Sequence, residues 1–284
     1  MMKKASAEMN MNYKLIGCDL DGTLFDSRGR FSDENKRAID ELCALGVHFV
    51  PSSGRTLSDI PEEVRNHPSV RYIIHSSGAV VYDKQTGDRI SFCMPKELSQ
   101  SVLGLLFSFE THVSVRRLGA TYVDKTQMSD EKLSYYKVWQ VHADLLLDYA
   151  CQIDDFQKTA LSYDNVEMLA VFFKNDSERR QVQEILSQNE KLNVVSVCKN
   201  NLEIIYSEAD KGRALTALCE KLSIKRNESI AVGDSDNDIP MLKAAGLGLA
   251  MKNASDTVKA SSDEVICHCD EHAVKFIKEK YILN

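Results

Sequence analysis

The feature that most restricts this chain is a strand–helix alternation that enters from both ends and stops in the middle. From the amino end, "YKLIGCD" (residues 13–19) has strand character. "SDENKRAIDELCALG" (32–46) has helical spacing, with a Ser/Asp cap at its start and Gly46 at its end. "VHFVPSS" (47–53) and "VRYIIHS" (70–76) predict two further strands. Near the carboxyl end the rhythm resumes. There, "KGRALTALCEKLSI" (211–224) reads as a helix, "SIAVGD" (229–234) as a strand, "NDIPMLKAAG" (237–246) as a helix and "LGLAM" (247–251) as a strand. The short strand "EVI" and the helix "EHAVKFIKEKYI" close the chain. Strands separated by helical segments predict parallel strands joined by right-handed crossovers. The expected fold is α/β: a doubly wound, Rossmann-like parallel sheet assembled from both ends of the chain.

Between these ends the pattern changes. A hairpin is expected in "VVYDKQTGDRISF", turning near Gly87, followed by an amphipathic helix in "KELSQSVLGLLFSFE". The runs "HVSVRR", "VEMLAVFF" and "LNVVSV" read as strands, with the helix "DSERRQVQEILSQ" between the last two. This mixture predicts an inserted α+β cap over residues 83–203, and a core formed by 1–82 plus 204–284. Two chain crossings, near residues 83 and 203, are what a hinged lid needs.

Composition excludes several functions. Hydrophobic residues make up 43% and charged residues 27%, an ordinary globular profile. The formal charge of −7 gives no sign of attraction to nucleic acid or to an anionic membrane. No apolar run approaches the ~18 residues of a membrane span. The opening "MMKKASAEMNMNYK" has no apolar stretch after its lysines and reads as a floppy leader, not a secretory signal. Of the eight cysteines, six lie singly in apolar contexts, which suits reduced thiols in the cytoplasm. The cluster "CHCDEH" (267–272) resembles a metal site but has no second cluster to complete four ligands, so it reads as a strand end leading into a helix cap. Nothing calls for more than a monomer or a weak homo-oligomer.

The chemistry lies at the strand ends. In a parallel sheet, ligands bind beyond the carboxyl ends of the strands. The first strand ends in Asp19-Leu20-Asp21, the second in Ser52-Ser53-Gly54-Arg55, and "SIAVGD" in Asp234, with Ser235, Asp236, Asn237 and Asp238 following. If these strands are neighbours, their ends form one crevice, to which the helix from Lys211 could add a cation. Carboxylates crowded this closely must bind a cation or hold protons. Oxygen ligands alone favour a hard ion, magnesium before calcium. A metal, a lysine, a hydroxyl and free amides suit a phosphate group. One aspartate could attack it, and the other could trade protons.

These residues carry a family resemblance. "DLDGTL" (19–24), "SGR" (53–55), "DKGRAL" (210–215) and "GDSDND" (233–238) resemble, in order, the four motifs of the haloacid dehalogenase (HAD) superfamily. An insertion between the second and third motifs, and the tail "AMKNASDTVKASSDEVICHCDEHAV", resemble the Cof-type sugar phosphatase branch. The resemblance implies a magnesium-dependent phosphatase of small phosphorylated metabolites, sugar phosphates first, working through an aspartyl phosphate. It implies Asp19 as nucleophile and Asp21 as general acid and base. Mg²⁺ would be held by Asp19, the carbonyl of Asp21, Asp234 and Asp238, the last directly or through water. Ser53, Gly54, Lys211 and Asn237 would bind the phosphoryl end. The second aspartate, which family dehalogenases lack, favours phosphoryl transfer over carbon–halogen cleavage. Two departures stand out: Ser53 replaces a frequent threonine, and Ser77 stands where the branch often has asparagine. Asp236 reads as a capping residue and His75 as packing, while Arg55 either contacts phosphate or braces its loop. In the cap, Arg116, Arg117 and Tyr122 read as a solvated face. The rival functions are a phosphotransferase or mutase of the same superfamily and a regulatory protein without turnover.

Overall fold

The computed structural model describes residues 13–283 except Val197, so all of the expected leader but Tyr13 and Lys14 lies outside the described residues. An eight-stranded sheet takes its strands from both ends of the chain. They are β1 (Leu15–Asp19), β2 (His48–Ser52), β3 (Tyr72–His75), β4 (Val80–Asp83) and β5 (Arg89–Ser91), then, after the insertion, β12 (Ser229–Gly233), β13 (Leu247–Ala250) and β14 (Glu264–Val265). Their order is β14-β13-β12-β1-β2-β3-β4-β5. All pairs from β14 to β3 are parallel, while β4 and β5 are antiparallel additions at one edge.

Alternation along β1 explains the layers. Ile16 and Cys18 face a cluster with Ile39, Phe49, Val274 and Ile277, under the helices Asp33–Ala44 and Ala273–Ile277. Leu15 faces the opposite cluster with Val50, Leu215, Leu218 and Met241, under the helices Lys211–Lys221 and Ile239–Ala244. With both faces covered, every residue of β1 is buried, as a central parallel strand requires. Chain order runs from β1 toward β3 on one side and from β12 toward β14 on the other. The sheet's switch point therefore lies between β1 and β12.

The middle of the chain forms a six-stranded sheet: β6 (Thr111–Arg117), β7 (Ala120–Asp124), β8 (Cys151–Ile153), β9 (Val166–Phe173), β10 (Leu192–Val195) and β11 (Asn201–Tyr206), in the order β10-β11-β9-β6-β7-β8. Only β7 and β8 pair in parallel. Val113, Val115, Leu169 and Val171 face the helices Lys96–Leu106, Phe156–Ser162 and Asp176–Ser187. The hairpin β4–β5 lies on the eight-stranded sheet, although its pattern placed it with the insertion. β4 follows β3 after the tight Ser76–Gly78 turn and pairs back onto it, so that sheet continues to Ser91. The sequence pattern did not single out β7, β8 or β11, nor the helix Gln140–Tyr149.

Candidate active site

β1 lies between β12 and β2, so the three acid- and hydroxyl-bearing strand ends are neighbours. After Asp19 the chain leaves the sheet in a tight loop in which Gly22 has φ +81°. A Cβ on Gly22 would lie 2.4 Å from Oδ2 of Asp234, so only glycine permits this approach of the two acidic loops. Thr23 Oγ1 donates to Asp234 Oδ1 at 3.3 Å, and Asn253 Nδ2 donates to the Gly22 carbonyl at 2.8 Å. Asn253 Nδ2 also lies 3.5 Å from Asp234 Oδ2 and so ties both loops together. Its motif, the quoted "AMKNASD" stretch, was legible as family sequence, but nothing in its spacing predicted this contact.

Lys211 begins its helix after Asp210, whose carboxylate caps the N–H groups of Gly212 and Arg213. Its side chain is fully buried and runs to the centre of the site. Nζ donates to Asp19 Oδ1 and to Asp238 Oδ1, each at 2.6 Å. Asp238 Oδ2 accepts the backbone N–H groups of Asp234 and Ser235, so Asp238 folds its own loop as well as pairing the lysine. Burial pushes the Asp19 carboxyl well above the ordinary carboxylate range, Asp238 adds to the push, and Lys211 opposes it. Asp234 is raised by burial and then by Asp238. Burial would lower the Lys211 ammonium, yet Asp19 and Asp238 raise it overall.

These groups fit a divalent cation. Asp19, Asp234 and Asp238 each bring a carboxylate oxygen within 4.8 Å of the others, and with Lys211 their formal charges sum to −3 + 1 = −2. The donors are all oxygen, which suits a hard ion such as Mg²⁺. Both oxygens of Asp238 accept bonds of 2.6–3.1 Å, whereas those that Asp234 accepts from Thr23 and Asn253 are longer, at 3.3 and 3.5 Å, so Asp19 and Asp234 are the freer ligands.

Asp21 stands apart from that cluster. Its exposed carboxylate takes a bidentate grip from Arg55, with Nε donating to Oδ2 at 2.9 Å and Nη2 to Oδ1 at 2.7 Å. Arg55 thus braces the acid that the sequence pairs with Asp19. Ser53 is buried at the end of β2, and its Oγ accepts the Arg55 N–H at 3.1 Å. Ser77 has φ +56°, a left-handed conformation that asparagine tolerates better than serine does, and its Oγ would lie 3.3 Å from a Cβ on Gly54.

Asp19, Asp21, Ser53, Gly54, Ser77 and Asn237 line a cavity of about 270 Å³. Its far wall comes from the six-stranded body: Arg116, Trp139, His142, Leu146 and Glu203. Arg116 is a correction to the sequence reading. The other body covers its face of β6, so it is only 7% exposed. Arg117 instead pairs with exposed Asp164 and stacks over Tyr163. His75 packs fully buried beside Ser76, and burial pulls its imidazole down to about 3. In "CHCDEH", His268 caps the short helical turn Cys269–Glu271 and His272 precedes the last helix, while His268, Cys269 and Asp270 bring ligand atoms within 4.8 Å of one another. Trp139, His142 and Glu203 had no legible sequence signal. Among the described residues, no helix is long and apolar enough to cross a membrane.

Residues 16–277 match the haloacid dehalogenase-like hydrolase family. The phosphatase YwpJ of Bacillus subtilis strain 168 is 31% identical over 278 residues, covering 92% of this chain and 97% of that protein. A second protein of that organism, the 5-amino-6-(5-phospho-D-ribitylamino)uracil phosphatase YcsE, is 28% identical over 256 residues, covering 90% of each. The crystal structure of TM0651 from Thermotoga maritima superposes with a TM-score of 0.80 at 25% identity, covering 96% of this chain and 98% of that one. The chain belongs to the haloacid dehalogenase-like hydrolases, and within them it is a phosphatase.

Proposed function

We propose that this phosphatase hydrolyses phosphate monoesters of small metabolites through an aspartyl phosphate on Asp19, with Mg²⁺ as its metal. The observation that carries the reading is the buried Asp19–Lys211–Asp238 cluster, which opens through Asp19 onto a cavity lined by Ser53, Ser235 and Asn237. Asp19, Asp234 and the backbone carbonyl of Asp21 would hold the metal, with Asp238 acting through water because its oxygens are engaged. When bound, the metal neutralises the phosphoryl oxygens as they approach the carboxylates.

Asp19 attacks phosphorus, and Lys211 both fixes its carboxylate and lends positive charge to the phosphoryl oxygens. Ser53 and Asn237 bind the same group, with Gly54 leaving room beside them. Asp21 protonates the departing alkoxide and later takes the proton of the water that hydrolyses the acyl phosphate. Arg55 holds Asp21 at the cavity mouth for both steps. The six-stranded body acts as the cap around the leaving group. The enzyme works as a monomer or a weak homo-oligomer in the cytoplasm, where its eight cysteines stay reduced.

Sugar phosphates remain the first substrate class. A second reading has one observation in its favour: the cap wall carries the Trp139 and His142 rings and Leu146. Such a wall suits a flat ring on a polyol phosphate, the type of compound named for YcsE. The test is phosphate release from a panel of both kinds of monoester, with Mg²⁺ and with excess chelator. Metal-dependent release supports the reading, and release unaffected by the chelator contradicts it.

A further inference from the structure

Arg116 reaches from β6 across to the loop that carries Ser53. Its Nη1 donates to the Gly54 carbonyl at 2.9 Å. On the cap side it is held by β9, next to β6, and by β11 beyond it: Nη1 lies 2.9 Å from Met168 Sδ on β9, and Nη2 lies 3.8 Å from Glu203 Oε1 on β11. The carbonyl of Gly54 and the N–H of Arg55 belong to one peptide group. That N–H donates to Ser53 Oγ. One planar peptide is therefore gripped on one side by the cap and grips the Ser53 hydroxyl on the other. A serine oxygen that accepts this N–H keeps its own O–H free to donate. A guanidinium on the carbonyl also polarises the N–H across the same peptide.

The β6–β7 turn brings Arg116 there. Ser58 N–H donates to the Gly119 carbonyl at 2.9 Å, Arg89 Nη2 donates to the Leu118 carbonyl at 3.3 Å, and Gly119 N–H donates to the buried Glu167 carboxylate at 2.8 Å. Glu167 in turn accepts Ser76 O–H at 2.7 Å, so the turn is anchored on both bodies.

We infer that Arg116 is a positioning residue: through the Gly54–Arg55 peptide it aims the Ser53 hydroxyl at the phosphoryl group, so full phosphate grip requires a seated cap. This rests on the reading above that Ser53 binds the phosphoryl group. The test is a double-mutant cycle of Ser53→Ala and Arg116→Ala, with Arg116→Lys beside it. Two quantities are read in Mg²⁺: kcat/KM on p-nitrophenyl phosphate and Kd for inorganic phosphate. Each single alanine variant is expected to lose about tenfold in both, and the double variant to be no worse than Ser53→Ala alone within about twofold. Arg116→Lys, which keeps one donor within reach of the Gly54 carbonyl, recovers most of the loss. If Arg116→Ala does not fold, Arg116→Met, which keeps much of the length and removes the donors, carries the same cycle. Additive losses, or a loss that changes with the leaving group while phosphate binding is untouched, overturn the inference. A wild type that binds phosphate but releases none from any monoester contradicts the phosphatase mechanism alone, because the phosphate-binding cycle still reads the coupling.

Discussion

Replacing Lys211 with methionine gives the sharpest physical test of the site, because its ammonium is fully buried between two buried carboxylates. Methionine keeps much of the length and removes the charge. It leaves Asp19 and Asp238 facing each other without a cation in the metal-free protein. Each charge-assisted bond lost is worth about 1.5–3 kcal/mol. Leaving a buried charge without its partner costs roughly 3–5 kcal/mol, and with Lys211 and Asp238 fully buried and the Asp19 side chain only 9% exposed the screening discount is small. We expect Lys211→Met to be about 3–5 kcal/mol less stable than wild type near neutral pH with chelator present. The assay is urea denaturation followed by far-ultraviolet circular dichroism.

The pH dependence follows from Asp19, whose folded carboxyl already lies above its unfolded value. Losing Lys211 removes an influence that lowers it, so the folded variant binds more protons than the unfolded chain. Its stability therefore falls as pH rises through the folded value and recovers on acidification toward the ordinary carboxylate range. The deficit against wild type should shrink as pH falls. Mg²⁺ should recover stability too, because the formal charge of the site is then −3, while phosphate release drops. A deficit below about 1 kcal/mol, or one that grows on acidification, would refute the reasoning.

Three further outcomes are expected. Asp234→Ala should weaken Mg²⁺ binding by more than about 100-fold in calorimetry, since loss of even an outer-shell partner costs 10–100-fold; unchanged affinity would remove Asp234 from the metal site. Gly78→Ala should destabilise by roughly 3 kcal/mol or more in thermal unfolding, because φ is +94° and the new Cβ would lie 2.2 Å from the Asp210 backbone; a loss under 1 kcal/mol would mean this junction yields. His75 stays neutral in the fold down to about 3 but protonates in the unfolded chain below its ordinary value. It should therefore remove about 1.4 kcal/mol per pH unit as pH falls below 6.5, and His75→Leu should flatten that slope in acid-denaturation curves.

The eight-stranded sheet was legible because parallel strands buried on both faces leave continuous apolar runs, and because their carboxyl ends gather polar residues. Asp19, Ser53 and Asp234 could be read for that reason, and Lys211 from the first turn of its helix. The cap was legible only in part. Alternation in "HVSVRR" separates Val113 and Val115 from His112, Ser114 and Arg116, and the structure keeps that division. What one strand cannot show is whether its polar face meets water or another body, so Arg116 read as solvated. The helix Gln140–Tyr149 buries only Ala143 and Leu146, too few apolar positions to mark a face, and so Trp139 and His142 gave no warning. The paired roles of Asp238 and Arg55 needed distances, since an acid or an arginine near a strand end is more often a cap or a brace.

The central claim is that phosphorus passes through Asp19, and it can be tested in the Asp21→Asn variant. With p-nitrophenyl phosphate the leaving group departs without a general acid, so the acyl phosphate should form and then hydrolyse slowly. Acid quench followed by peptide mass spectrometry should find one phosphoryl group on the peptide containing Asp19. It should be absent in Asp19→Asn and in excess chelator. Turnover with no adduct on that peptide, or an adduct that survives Asp19→Asn, would contradict the account.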